Sequence, residues 1–464
     1  MPILSGTNRY QGQIISYDEM VDETSVARVI DKFIAVIEPE KLGFVWAGDK
    51  ETGRPAYPLN ALVKLYVYGY TNGIRSSRKL EQETHRNIEV MWLMDGLMPD
   101  HKCISEFRRT NLIPLKALFK KFVRLCRNWD LIGDELLAFD GTTIKADNNR
   151  YKNFNLKKVT NKLKELDEKI QKYLDDMDAA DREEHLEKLN QSRAKYEEIM
   201  RKLEIEGDRC LSLTDPDAPL VSDKRGGLMP GYNVQSVVDS KYDIVVEIDT
   251  NQNVCDNGLL SVMVEKTQEN SVNKEFIALA DKGYWQGDDL AATETLGAIP
   301  LVAEQNNAPH RDQPSDYTTD KFQYDRENDE YICPQGARLS CYHKRGKGVR
   351  RYFNKAVCAV CPCQPECCKL VKLGFKTVNR SPYADAVERN AERLQSQKTL
   401  YRRRQELVEH PFGTIKRTMN GSYYLLRTLP KVSTETALMF LGYNIKRVIN
   451  VLGFEKMMRK LATV

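Results

Sequence analysis

The feature that most constrains this chain is a change of hydrophobic period near residue 130. Before it, VARVIDKFIAVI, PLNALVKLYVYGYTNG, SSRKLEQETHRNIEVMWLM and PLKALFKKFVRLCRNW carry apolar residues three or four apart, the period of amphipathic helices. Pro58 and Pro114 suit first helical turns and Gly73 a C-terminal stop. Residues 1–130 therefore read as a helical domain. Its Arg75, Arg78, Lys79, Arg86, Lys102, Arg108 and Arg109 are candidates to face phosphates, although a solvated helix face is the commoner reason for any one of them. Beyond the change, ELLAFDGTTIKAD reads as a short apolar strand ended by Asp140 and a Gly-Thr-Thr turn. GYNVQSVVDS and YDIVVEIDT are further strands, NGLLSVMVEKTQ a helix, and FIALADKGY and AIPLVAE two more strands. This order predicts an α/β (α+β) core, a mixed sheet with helices packed on it, in two parts, 131–155 and 207–304.

The two parts are separated by residues 156–206. Leu156, Val159, Leu163, Leu166, Ile170, Tyr173 and Met177 follow one another at intervals 3-4-3-4-3-4, and Leu186, Leu189, Tyr196, Met200 and Leu203 form a second series. Such seams close on each other as an antiparallel helical hairpin, and a structural coiled coil is preferred here to a functional arm. A second insertion, 305–390, is polar and contains Lys344, Arg345, Lys347, Arg350, Arg351 and Lys355 with no acid among them. The remainder, 391–464, is helical and basic. From Arg393 to Lys431 nine Lys or Arg stand against two acids, Glu406 and Glu409.

Composition sharpens the functional reading. At 464 residues several structural units are expected, and 41% hydrophobic residues exclude global disorder. Lys and Arg number 70 against 66 acids, a net charge of only +4, so any nucleic-acid role must come from local basic surfaces. No uncharged apolar run approaches the roughly 18 residues of a membrane span, and a cytosolic chain is expected. Seven of eleven cysteines fall between Cys333 and Cys368, which suits reduced thiols and a metal site better than a disulfide framework.

Three acids stand out by position. Asp140 closes one strand, Asp281 closes another in IALADKGYW, and Glu409 lies in the basic helix YRRRQELVEHPFGTIKR. Carboxylates from distant segments can converge on divalent cations, yet each alone is more often a turn-former, a cap or an ion-pair partner.

FDGTTIKAD, GYNVQSVVD, ALADKGYW, the Cys333-Pro334-Gln335-Gly336 knuckle and VEHPFGTIKR occur in this order, and together they resemble bacterial insertion-sequence transposases of the DDE type. YPLNALVKLYVYGY, SSRKLE and MPDHKCISEFRR are similar to the subgroup with an N-terminal helical transposase domain. The resemblance spans nearly the whole chain. It implies an RNase H-like catalytic core in which Asp140, Asp281 and Glu409 form the metal-binding triad, with Glu409 on the C-terminal helical part of the core. It also implies double-stranded DNA as partner, both terminal inverted repeats and target, and a homodimer in synapsis. Recognition of the repeats falls to the N-terminal helices, and the protein is expected at the nucleoid of a bacterial cytoplasm with no membrane association. Carboxylate oxygens suit Mg²⁺ or Mn²⁺, and two such cations can flank a scissile phosphate.

Related transposases carry Tyr-x2-Arg-x3-Glu-x6-Lys. Glu409 and Lys416 keep the x6 spacing, and Tyr401 with Arg404 keeps x2, but four residues separate Arg404 from Glu409. Taking Glu406 restores x3 from Arg402 and puts Gly413 where the lysine belongs. Glu409 is preferred, and Tyr401, Arg402, Arg404 and Lys416 are the candidate DNA contacts, with Arg403 also open for the terminal phosphate. Cys333, Cys358, Cys361 and Cys367 can offer four thiolates to a structural Zn²⁺ in a segment too polar to build its own core, while Cys341, His343, Cys363 and Cys368 compete as donors. Trp285 is placed to stack on a displaced base, with core packing the commoner role. Two rival functions stay open: a DNA-binding protein that has lost catalysis, and a metal-dependent nuclease without strand transfer.

Overall fold

A computed structural model describes residues 16–45, 55–149, 152–176, 182–206, 211–222, 227–305, 316–344, 348–368 and 374–463. They divide into two compact units, Met1–Asp256 with Glu269–Val272 and Arg404–Val464, and Asn257–Gln268 with Asn273–Arg403. Among the described residues no helix is long and apolar enough to cross a membrane.

The first unit begins with helices α1 (Tyr17–Met20), α2 (Val26–Ile37), α3 (Leu59–Thr71), α4 (Ser77–Arg86), α5 (Ile88–Leu93), α6 (His101–Thr110) and α7 (Leu112–Asn128). Side-chain caps start several of them. Ser25 accepts from the Ala27 N–H, Asn87 from Glu89 and Val90, and Asp100 from Cys103, which satisfies amide donors that the first turn leaves open. Pro58 stands just ahead of α3 as its N-cap, whereas Pro114 is within the first turn of α7. Gly73 follows the C-cap Asn72 with φ +73°, where a Cβ would press on the Met419 backbone.

Two of the seven basic residues considered for phosphate contact are internal. Arg75 is 2% exposed and donates to Glu435 Oε1 at 2.8 Å, to the Tyr423 carbonyl at 2.7 Å and to the Asn420 carbonyl. Arg108, also buried, donates to the Arg75 carbonyl at 3.3 Å. The acid paired with Arg75 lies 360 positions away and Arg108 bonds to Tyr70 and Arg75 on other elements, so helical periodicity could not separate them from the exposed Arg78, Lys79, Arg86, Lys102 and Arg109.

Strand β1 (Leu136–Lys145) runs through Asp140 and on for five residues; the Gly-Thr-Thr segment is strand and not turn. The cause is its neighbour. After the two-residue strand β2 (Asn153–Phe154), helices α8 (Leu156–Asp176) and α9 (Arg182–Glu206), and short strands β3 (Leu211–Ser212) and β4 (Leu220–Ser222), the chain enters the 12-residue β5 (Leu228–Asp239). β5 pairs antiparallel with β1 from Leu137↔Asp239 to Lys145↔Gly231, so every residue of β1 past Asp140 has a register partner on β5. β5 also pairs antiparallel with β4 and with β6 (Ile244–Asn251).

Helices α8 and α9 share a core of Val159, Ile199 and Leu203 with Phe154 and Leu211, and Arg193 meets Asp167. These contacts place the start of one helix beside the end of the other, an antiparallel pair. On α9 the buried positions are Ile199 and Leu203, with Met200 only partly buried. Met177 lies outside the described residues.

The second unit holds most of α10 (Leu260–Asn270), then β7 (Ile277–Ala280), α11 (Gly287–Thr295) and β8 (Ile299–Val302), with β7 and β8 parallel. The cysteine-rich segment follows as β9 (Gln323–Asp325), β10 (Glu330–Ile332), β11 (Arg338–Lys344), β12 (Arg350–Phe353), α12 (Lys355–Ala359), α13 (Gln364–Cys367) and β13 (Val378–Arg380). Its strands form one antiparallel sheet in the order β13-β12-β11-β10-β9. This corrects the expectation of a coreless insertion, because Phe322, Tyr331, Leu339, Tyr352 and Val378 pack into a small core. The strands are three to seven residues long, too short for alternation to stand out against the polar background.

Helix α14 (Ala384–Ser396) ends this region, and α15 (Lys398–Arg417), α16 (Leu429–Leu452) and α17 (Phe454–Ala462) close the chain. α16 is buried without a break from Val432 to Ile445, the mark of a helix inside a core. Between α15 and α16, Tyr423 bridges to Lys145 at the end of β1.

Candidate active site

In the first unit the site is built on one face of β1. Alternation along a strand puts Asp140 and Thr142 on the same side, and α15 is tied to that side twice. Arg404 Nη1 lies 3.8 Å from Asp140 Oδ1, with both side chains about four-fifths buried. Lys416 Nζ donates to Thr142 Oγ1 at 2.6 Å and to the Thr143 carbonyl at 3.2 Å. Leu407, Val408, Pro411, Phe412 and Ile415 are buried and set the rotation of the helix. Glu409 sits between the two anchors, seven residues before Lys416 and so nearly on the same side at 3.6 residues per turn. It is exposed, and its Oε1 accepts from Gln405 Nε2 at 2.8 Å. The structure thus brings Asp140, Arg404 and Lys416 together and presents Glu409 on the helix that carries the last two. Glu406 is exposed on the same helix.

On the opposite face of the sheet, β5 carries polar residues beside β1 that sequence reasoning passed over. Buried Asn233 and Gln235 both donate to Asp256 Oδ1, at 2.8 and 2.7 Å. A Cβ on Gly141 would collide with that carboxylate and with Gln235 Nε2, so the glycine after Asp140 is a requirement of close packing. The only sequence signal was the unbroken Asp-Gly pair, which reads equally well as a turn.

In the second unit Asp281 directly follows β7 and caps a short 3₁₀ turn, accepting from the Gly283 N–H at 2.6 Å. Tyr401 hydroxyl donates to the carbonyl of Ala280, the preceding residue, at 3.1 Å. Arg402 and Tyr401 line an open cavity of about 380 Å³ with Trp285, Glu304, Leu394 and Lys398. Trp285 is half-buried at the wall of this cavity and does not belong to the core.

Cys333, Cys358, Cys361 and Cys367 line one small cavity, together with Cys363 and Cys368; Cys341 is exposed on β11. All six lining thiols are free of disulfides. Burial pushes the Cys367 thiol up to about 11 and raises that of Cys368 as well. Among the described residues no group of three or more His, Cys, Asp or Glu is arranged to hold a metal ion, a statement that covers thiols and carboxylates alike.

Comparison with known proteins adds a family. Residues 15–110 match the transposase domain DUF772 and residues 332–449 match the transposase DDE domain. The second match contains the cysteines, Glu409 and Lys416. No curated protein matches. Among solved structures, a piggyBac transposase synaptic complex with hairpin DNA is similar at 9% identity and a TM-score of 0.33, over 94% of this chain and 79% of that one.

Proposed function

Because its two matched domains mark the chain as a DDE-type insertion-sequence transposase, we propose that it binds the terminal inverted repeats of its element and catalyses DNA cleavage and strand transfer. The observation that carries this reading is the double attachment of α15 to β1, which holds Glu409 between Arg404 at Asp140 and Lys416 at Thr142. In this proposal Asp140, Asp281 and Glu409 are the acids of an RNase H-like core, and Mg²⁺ or Mn²⁺ is the cofactor.

In its chemistry the proposed donor set, three carboxylates, suits a hard divalent ion. Asp140 already keeps a positive group, the Arg404 guanidinium, beside its carboxylate, and oxygen ligands are what these ions prefer. When bound, the cations would activate the attacking oxygen and neutralise charge at the phosphate. The remaining work falls to this chain's own residues. Asp140 on its strand, Asp281 at a strand end and Glu409 at an exposed helical position would hold the cation. Lys416, Arg404, Arg402 and Tyr401 hold the DNA backbone, contacts that position the duplex without reading its sequence. Base recognition is assigned to the exposed face of the N-terminal helices, and a homodimer to synapsis, since two ends must be joined. For the cysteine-lined cavity we propose Zn²⁺ held by Cys333, Cys358, Cys361 and Cys367, supported by their gathering around one space; metal analysis of the purified protein should return about one zinc per chain.

The test is cleavage and strand transfer with Mg²⁺ on DNA flanking the gene, for the wild type beside Glu409→Gln. Joined product from the wild type, and a loss of at least about a thousandfold in the variant, is expected. Donor DNA that is bound but never cut by either protein overturns catalysis, cutting without joining leaves a nuclease, and equal cutting by both moves the role from Glu409 to Glu406.

A further inference from the structure

The strand opposite Asp140 supplies a residue with no part in the reading above. Ser236 on β5 is the register partner of Asp140, and directly opposed residues of an antiparallel pair project to the same face with their Cβ atoms about 5 Å apart. Its nearest neighbours along and across the strands on that face are apolar, and the hydroxyls diagonal to it, on Thr142 and Thr250, have partners of their own in Lys416 and Thr436. Val234 and Val238 flank it along β5, and Ile248 opposes it on β6, all three buried. Ser236 itself is 1% exposed, and its Oγ has no hydrogen-bond partner among the described residues. A buried hydroxyl left unmatched is disfavoured against alanine, so packing alone gives no reason for a serine in this row. The polar group beside it is the Asp140 carboxylate, whose Oδ1 faces Arg404.

We propose that Ser236 is a positioning residue for Asp140, its Oγ–H donating to one carboxylate oxygen once that carboxylate turns from Arg404 to a divalent cation. The inference rests on Asp140 being a metal ligand. A group that hydrogen-bonds a ligand fixes the ligand's orientation, and its loss commonly weakens metal affinity about tenfold or more. In the state described here Arg404 neutralises Asp140, and the Ser236 hydroxyl waits unmatched; on loading, the carboxylate gains one fixed acceptor contact and presents its second oxygen to the ion.

The experiment is a Mn²⁺ titration of the full-length protein without DNA, followed by the electron paramagnetic resonance of free Mn²⁺, alongside thermal melting without metal. Four proteins are compared: wild type, Ser236→Ala, Ser236→Thr and Asp140→Asn. Asp140→Asn should lose the site. Ser236→Ala should bind Mn²⁺ about tenfold more weakly while melting at or above the wild-type temperature, and Ser236→Thr, which keeps the hydroxyl, should recover most of the affinity. If Ser236→Ala binds as the wild type does while Asp140→Asn does not, the hydroxyl has no positioning role and the inference is wrong. If Asp140→Asn also binds normally, the metal reading of Asp140 falls first and the inference falls with it.

Discussion

The two units treat their most enclosed acids in opposite ways. In the first unit, long strands and the wholly buried stretch of α16 surround Asp215, Asp239 and Glu435, and burial pushes all three carboxyls above their usual range. Backbone N–H groups temper this: Gly133, Asp134 and Lys241 donate to Asp239. In the second unit the acids are nearer water and held low. Glu294 feels burial first, but Arg389 and Arg393 outweigh it. Hydrogen bonding from Arg380 lowers Glu388, and from Tyr352 lowers Asp329. Arg380 also donates to Tyr331 hydroxyl and lies 3.6 Å above the ring of Tyr324. A large core can enclose acids on backbone amides, whereas a small sheet of short strands is tied together by arginines and tyrosines.

Four changes would break or sharpen this contrast. The largest effect is expected for Arg75→Ala, which strands Glu435 in the first unit; removing one member of a buried pair costs about 3–5 kcal/mol, read as a lowered denaturant midpoint with slowed exchange lost across α3 and α16. Tyr352→Ala should cost about 3 kcal/mol, with hydrogen exchange accelerated in the five-stranded sheet and unchanged in β1 and β5. Equal acceleration in both would show that the units do not melt separately. Gly141→Ala should cost about 1–3 kcal/mol, because Asp256 and Gln235 must move aside; a melting temperature equal to wild type would refute the packing requirement. The smallest effect is with pH. Glu294, Glu388 and Asp329 are lowered when folded, so their contribution is present above the ordinary values of 4.5 and 3.8 and is lost as pH falls through the folded ones. For Asp215, Asp239 and Glu435 the sign reverses: their folded values are raised, and stability grows as pH falls through them. Acid below these ordinary values should therefore loosen the second unit ahead of the buried part of the first, and exchange rates, corrected for intrinsic pH dependence, that rose equally in both would contradict it.

Much of the fold was legible because period and length are local. The helices around Leu62, Phe107 and Phe122, the two heptad series and the strand of Val237 all announce themselves within a dozen residues. What stayed hidden depends on distant partners. The turn expected after Asp140 became strand because β5 extends far enough to pair with it. Arg75 resembled its exposed neighbours until Glu435 lay beside it. The five-stranded sheet was missed because Tyr331 and Tyr352 sit in strands of three and four residues. At the candidate site, Glu409 and Lys416 were singled out by their resemblance to a Glu-x6-Lys signature within one helix, but the contact of Lys416 with Thr142 and the pairing of Ser236 with Asp140 exist only once strands are in register.

One small feature has a long reach. The chain leaves β1 and returns toward β5 through a two-rung ladder, Asn153↔Ser212 and Phe154↔Leu211, which clasps the base of the helical hairpin. Whatever is threaded above that clasp begins and ends at the same place, so its length is decoupled from the register of Asp140. Closing a longer loop costs little more than a shorter one, growing only with the logarithm of its length. The clasp therefore works as a socket: a lineage of such chains can trade, lengthen or trim what projects from it while the strand beneath keeps its alignment.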